Sequence, residues 1–189
     1  MSNNLAYQEE FREELINGRI MAMAPASASH TYIAGNIFYL FKNYLRGKTC
    51  VPFGDGLLVH LTEKDQFVPD MMVVCDRSKI KRNGICGAPD LVVEILSPVT
   101  SKNDKGYKKD VYESSGVPEY WIVDPAGKSI EVYLLQDGRY VLDGLYTLYP
   151  PEELEELTEA EKAAVRTEFK CHLYDDLIFR LEDIFSDLF

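Results

Sequence analysis

A chain of 189 residues with 46% hydrophobic content is long enough to bury one core and too short for two domains of ordinary size. We therefore expect a single domain over residues 1–189, with an acidic helical C-terminal segment from about residue 150. The absence of any apolar run long enough to span a bilayer, and of a basic-then-apolar order after Met1-Ser2-Asn3-Asn4, argues against a membrane protein or a secreted one; the expectation is a cytoplasmic protein. The net charge of -11 argues against nonspecific nucleic-acid binding through overall charge.

In chain order, Leu5 to Glu13 reads as a short polar helix, and the stretch from Glu14 to Met23 as two short strands around Asn17-Gly18, a dipeptide that favours the positive-φ turn of a tight hairpin. After Pro25, the residues Ile33, Ile37, Leu40, Phe41, Tyr44 and Leu45 recur at helical spacing, which predicts an amphipathic helix over 30–46 that ends near Gly47. Val51 to His60 and Gln66 to Cys75 read as two antiparallel strands, and 76–88 as a basic, glycine-containing loop. The four cysteines, Cys50, Cys75, Cys86 and Cys171, form no Cys-x-x-Cys pair, so neither a zinc knuckle nor a disulfide framework is expected, and reduced, mostly buried thiols are.

The run Asp90-Leu91-Val92-Val93-Glu94-Ile95-Leu96 reads as a strand covered on both faces. A helix from about Ser101 to Ser115 follows, capped by Thr100 or Ser101, with Ser101 and Asp104 at capping-box spacing. It stops at Gly116 and Pro118 and feeds a strand at Tyr120. Strand, helix and strand make a β-α-β crossover with one parallel pair. Ser129 to Leu135 and Arg139 to Leu142 form a hairpin through Asp137-Gly138. The tail begins at Pro150-Pro151, offers Thr158 and Glu161 as a capping box, and returns Leu177-Ile178-Phe179 and Ile184-Phe185 to the core.

Glu94 is the residue that most needs an explanation, because a carboxylate inside an apolar strand is costly unless it is paired, hydrogen-bonded or metal-bound. Asp90 is on the same strand but four residues away, roughly 13 Å at about 3.3 Å per residue. Asp70, on a neighbouring strand after Pro69, can come closer, so Asp70 and Glu94 are the better metal pair, with oxygen donors suited to Mg²⁺ or Mn²⁺. Residues 76–109 carry 8 basic against 4 acidic side chains, whereas 150–189 carry 12 acidic against 4 basic, so the local basic excess surrounds Glu94.

Pro69-Asp70 and Glu94-Ile95-Leu96-Ser97-Pro98, with Glu14 to Gly18, His30, Asp104, Lys108, Tyr112 and the block Gly116 to Pro125, resemble the Uma2 family of restriction-endonuclease-like proteins and the PD-(D/E)xK nuclease pattern. The resemblance implies a restriction-endonuclease-like α+β fold, a mixed sheet flanked by helices with the site on the β-α-β crossover. One departure stands out: two residues after Glu94, where such nucleases carry lysine, stands Leu96. The ammonium must then come from elsewhere, and Asp104, Lys108 and Tyr112 at i, i+4 and i+8 lie close to one helix face. Lys102, Lys105 and Lys109 are the competitors, the last two turned about 100° from their preceding neighbours.

The implied chemistry is phosphodiester hydrolysis. Asp70, Glu94 and the Ile95 carbonyl would hold the ion, and Lys108 would orient water or stabilise transition-state charge, with Glu14 a further carboxylate and His30 a phosphate donor or carboxylate support. DNA is the expected substrate, and a homodimer is expected because double-strand cleavage needs two sites. The competing reading is a non-catalytic binding or assembly protein on a nuclease-like fold.

Overall fold

The computed structural model describes residues 12–98, 100–186 and 188. Glu13–Ile16 (β1) and Arg19–Ala22 (β2) form the expected hairpin, with Asn17 and Gly18 at φ of 51° and 72°. The polar helix expected over 5–13 falls outside the described residues up to position 11, and Glu13 already belongs to β1. Helix α1 spans Ala28–Tyr44; it starts two residues early because the Ser27 hydroxyl accepts from the His30 N–H. Ile33, Ile37, Phe41 and Leu45 form its buried stripe.

The two strands expected over 51–60 and 66–75 are each divided. Val51–Gly54 (β3) and Val59–His60 (β4) are separated by a turn in which Gly56 takes φ 103°, and Gln66–Phe67 (β5) is separated from Met71–Val74 (β6) at Pro69, which has no N–H for a ladder. The segment read as a basic loop contains a 3-10 turn and a small hairpin, Ile80–Lys81 (β7) and Gly84–Cys86 (β8). Gly84 is required there: a Cβ would lie 2.3 Å from the Leu58 carbonyl oxygen.

Leu91–Ile95 (β9) leads into the crossover. The helix expected to run unbroken to Ser115 is interrupted at Gly106, giving Ser101–Lys105 (α2) and Tyr107–Ser115 (α3), the latter closed by Gly116 in the left-handed region. The Ser101/Asp104 capping box does not form. Thr100 takes the cap position and exchanges hydrogen bonds with Ser97, which leaves the Asp104 carboxylate turned inward, 2% exposed.

Glu119–Asp124 (β10), Ser129–Gln136 (β11) and Arg139–Thr147 (β12) follow as expected, with β12 longer than predicted. The tail holds Pro151–Glu156 (α4), Glu159–Ala164 (α5) with the predicted Thr158/Glu161 capping box, a hairpin of Glu168–Lys170 (β13) and Ile178–Arg180 (β14) not anticipated from sequence, and Leu181–Phe185 (α6). Leu177, Phe179, Ile184 and Phe185 return to the core, whereas Ile178 faces outward.

The main sheet has the order β12-β11-β10-β9-β6-β3, with β9 and β10 parallel as the crossover requires; a second six-stranded sheet has the order β2-β1-β5-β4-β8-β7. Period-two alternation divides β9 between two cores. Leu91, Val93 and Ile95 pack with α1, Trp121, Phe169 and Phe179, while Val92 packs with Ile122, Tyr112, Phe67 and Ile85 on the side of α3 and the second sheet. Among the described residues no helix is long and apolar enough to cross a membrane.

The cysteine expectation needs correction. Cys50 and Cys75 are joined by a disulfide, one position beyond the Val51–Val74 pair of the β3–β6 ladder, with Cα atoms 3.8 Å apart. Only strand register brings these two together; no local spacing announces it. Cys171 is a buried free thiol and Cys86 an exposed one.

Candidate active site

Asp70 immediately precedes β6. The antiparallel register that places Met71 opposite Val93 brings Asp70 opposite Glu94 as the two strands continue. Its Oδ2 accepts from the Ile95 N–H at 2.6 Å, and its Oδ1 meets His30 Nε2 at 2.8 Å. The Ser27 cap thus positions His30 so that α1, from the opposite face of the sheet, reaches the strand end. Asp90 is used elsewhere, accepting from the Cys75 N–H at 2.7 Å.

Glu94 projects towards α3 and is 3% exposed. Lys108, in the first turn of α3, sends its Nζ to Glu14 Oε1 at 2.8 Å, Glu94 Oε1 at 3.3 Å and Asp104 Oδ1 at 3.6 Å. The Tyr112 hydroxyl donates to Glu94 Oε1 at 2.8 Å, one turn further along the same face. Glu14 Oε1 also accepts from the Val68 N–H at 2.8 Å, which fastens β1 to the segment leading into Pro69-Asp70. Tyr120 donates to the Asp104 carbonyl at 2.9 Å and so holds the end of α2 over the sheet.

Every sequence-predicted side chain is therefore in one connected region, in two groups: His30–Asp70–Ile95, and Glu14–Lys108–Glu94–Tyr112 with Asp104. The competing lysines are elsewhere. Lys102 is exposed, Lys105 pairs with Glu131 at 2.7 Å, and Lys109 Nζ sits 3.4 Å above the Tyr133 ring. Leu96 shares the Glu94 side of the strand by alternation and packs into the apolar cluster around Tyr112, so α3 supplies the ammonium that β9 does not.

Burial pushes Glu94 well above the usual carboxylate range; Lys108 pulls it back, and the charges of Asp104, Asp70 and Glu14 push it up again. Burial also raises Asp104 against the opposing Lys108 charge. For Lys108, burial works against the ammonium, but Glu94, Glu14 and Asp104 outweigh it and hold the group charged. Burial likewise opposes the imidazolium of His30, and the Asp70 hydrogen bond and charge overcome it, leaving the pKa above 6.5.

The donor set suits a hard divalent cation: carboxylate oxygens from separate elements, one of which, Asp104 Oδ1, is buried without a hydrogen-bond partner. As the side chains stand, no group of three His, Cys, Asp or Glu among the described residues is arranged to hold a metal ion. The Lys108 ammonium holds the position on which the carboxylates converge. A buried carboxylate that sequence reasoning gave no role, Glu119, lies on the other face of the sheet and accepts from Trp121 Nε1 at 2.7 Å and the His172 N–H at 3.0 Å.

The Uma2 family model, described as "Putative restriction endonuclease", matches residues 3–166. An uncharacterized protein of Synechocystis sp. is 31% identical over 137 residues, covering 70% of this chain and 72% of its own, and a second from the same organism is 27% identical over 126 residues, covering 65% and 71%. The crystal structure of "a putative nuclease belonging to DUF820" from Anabaena variabilis superposes with a TM-score of 0.63 at 20% identity, covering 92% of this chain and 89% of that one. That likeness establishes the α+β, restriction-endonuclease-like fold.

Proposed function

The chain belongs to the Uma2 family, and from that premise we propose that it is a Mg²⁺- or Mn²⁺-dependent endonuclease hydrolysing DNA phosphodiester bonds. The observation that carries the reading is the delivery of Lys108 from α3 to Glu94 at 3.3 Å, in place of the lysine that Leu96 displaces. Asp70, Glu94 and the Ile95 carbonyl would hold the ion, which supplies Lewis acidity towards a phosphate oxygen and a more acidic bound water. The rest is done by the chain's own groups. Lys108 donates to the attacking water or to the charge that builds on the phosphate. Tyr112 fixes the Glu94 carboxylate, and His30 holds Asp70 and offers a proton donor at the strand end. The exposed basic side chains over 76–109, Arg77, Lys81, Arg82 and Lys102, would supply counter-charge for a DNA backbone. We extend the reading to a homodimer, since two copies would cut both strands.

The second reading, a non-catalytic binding or assembly protein, is favoured by one feature: Lys108 is fully engaged by its own carboxylates and only 5% exposed. Supercoiled plasmid incubated with Mg²⁺ or Mn²⁺ separates the two. Wild type is expected to nick or linearise it, and Glu94→Gln to be slower by about 100-fold or more, the scale for losing a preorganised charged group. Equal trace activity in both proteins would overturn catalysis by this site and favour the second reading.

A further inference from the structure

The arrangement around Lys108 has the form of a cation site with a lysine in it. Carboxylates from β1, β9 and α2 converge on one Nζ, at 2.8, 3.3 and 3.6 Å. Ionised carboxylates buried in such a group are tolerable only around a positive charge. Asp104 Oδ1, without a hydrogen-bond partner, is directed to the same point. It is the atom to which an ammonium with three donors has the least to give, since Glu14 and Glu94 lie closer.

We propose that Lys108 is a built-in counter-ion that keeps the carboxylate cluster closed, and that it yields its place beside Glu94, the carboxylate this cluster shares with the Asp70–Glu94–Ile95 ion site, when a divalent cation loads that site. This rests on the metal-dependent reading above. Its consequence is an ordering: the ammonium becomes free to meet water or phosphate only once the cluster holds another positive charge, so the lysine is withheld from chemistry in the ion-free chain. The motion proposed is of the side chain alone. Lys108 sits in the first turn of α3, directly after the Gly106 break, and its four-carbon stem can swing without moving the helix. The Phe67 ring, with its centroid 5.5 Å from Nζ, offers a face to which the displaced ammonium can remain attached.

The test uses the full-length wild-type chain and Mn²⁺ alone. Binding is followed by calorimetry, and acylation of individual lysines by an amine-reactive reagent is read by mass spectrometry with and without the ion. Lys108 is expected to be protected without Mn²⁺ and to label about tenfold faster when it is saturating, a coupling of ordinary size between two competing ligands. Lys102 and Lys105, both exposed, should change little. Lys108→Met provides the reciprocal measurement: with the competitor removed it should bind Mn²⁺ about tenfold more tightly than wild type, and gain more thermal stability from it. Mn²⁺ binding with Lys108 still protected would overturn the counter-ion exchange and leave the metal-dependent reading intact. No binding to either protein would overturn both.

Discussion

The two faces of the main sheet each bury a glutamate on adjacent parallel strands, and they treat it in opposite ways. On the face packed by α1 and the C-terminal hairpin, Glu119 accepts only from neutral donors: Trp121 Nε1 at 2.7 Å, the His172 N–H at 3.0 Å and Cys171 Sγ at 3.6 Å. On the face packed by α3, Glu94 receives a hydroxyl and an ammonium, and that ammonium is shared with two further carboxylates. Burial raises both glutamates, so burial and titration alone do not distinguish them. Their partners do. Neutral donors at the start of β10 tie the C-terminal segment to the sheet and need nothing more. A single cation among three carboxylates is an arrangement that stability alone would not require, since apolar replacements are often neutral or better.

The sharpest way to break this comparison is Lys108→Met in the absence of divalent ions. Removing the one positive charge leaves buried carboxylates uncompensated, and a loss of about 3–5 kcal/mol is expected, measured by urea unfolding. Glu119→Gln should cost less, about 1–3 kcal/mol, because the amide keeps one acceptor but sets its NH₂ against a donor. If the Glu119 variant proved the more damaging, the distinction between a carboxylate held by neutral donors and one held by a cation would fall.

A third prediction follows from the sign of the Glu119 shift. Burial raises it, while Trp121 and the His172 N–H pull it back without cancelling the effect. An acid with a folded pKa above its unfolded one binds more protons when folded, so its contribution is fully present below the ordinary carboxylate pKa and is lost as pH rises through the raised value. The stability advantage of wild type over Glu119→Gln should therefore shrink across that window. An advantage that grows with pH would show that the donors win.

Much of the face that carries Glu94 was legible because its signals are local. A charged residue in an apolar strand marks Glu94, and helical spacing groups Asp104, Lys108 and Tyr112. The Leu96 departure sends the search for an ammonium to the next helix. What was not legible depends on distance along the chain. Glu119 is recognised by Cys171 and His172, 52 and 53 residues later, and nothing near Glu119 foretells them. Cys50 and Cys75 pair through the register of β3 on β6, which no spacing rule contains. The divided strands carry their signals in the sequence, Gly54-Asp55-Gly56 in the first and Pro69-Asp70 in the second. Gly106 sits within a good helical pattern; it reads as a break only once the 2.8 Å approach of an added Cβ to the Lys102 carbonyl is seen.

The smallest expected effect concerns the other half of the candidate site. His30 is partly buried, which by itself lowers its pKa, yet the hydrogen bond and charge of Asp70 raise it above 6.5. A histidine raised in the fold adds stability that is complete below its unfolded pKa and disappears as pH rises through the folded value. NMR titration of the His30 ring should thus show a midpoint above 6.5. In Asp70→Asn burial remains and the two largest raising contributions are gone, leaving only the weaker charges of Asp55 and Asp104, so the midpoint should fall, and the fall in stability with pH through this region should flatten. The amide can still accept from the Ile95 N–H, so the strand end should survive the change. A His30 midpoint that ignored Asp70→Asn would separate the imidazole from the carboxylate, and with it α1 from the site on β9.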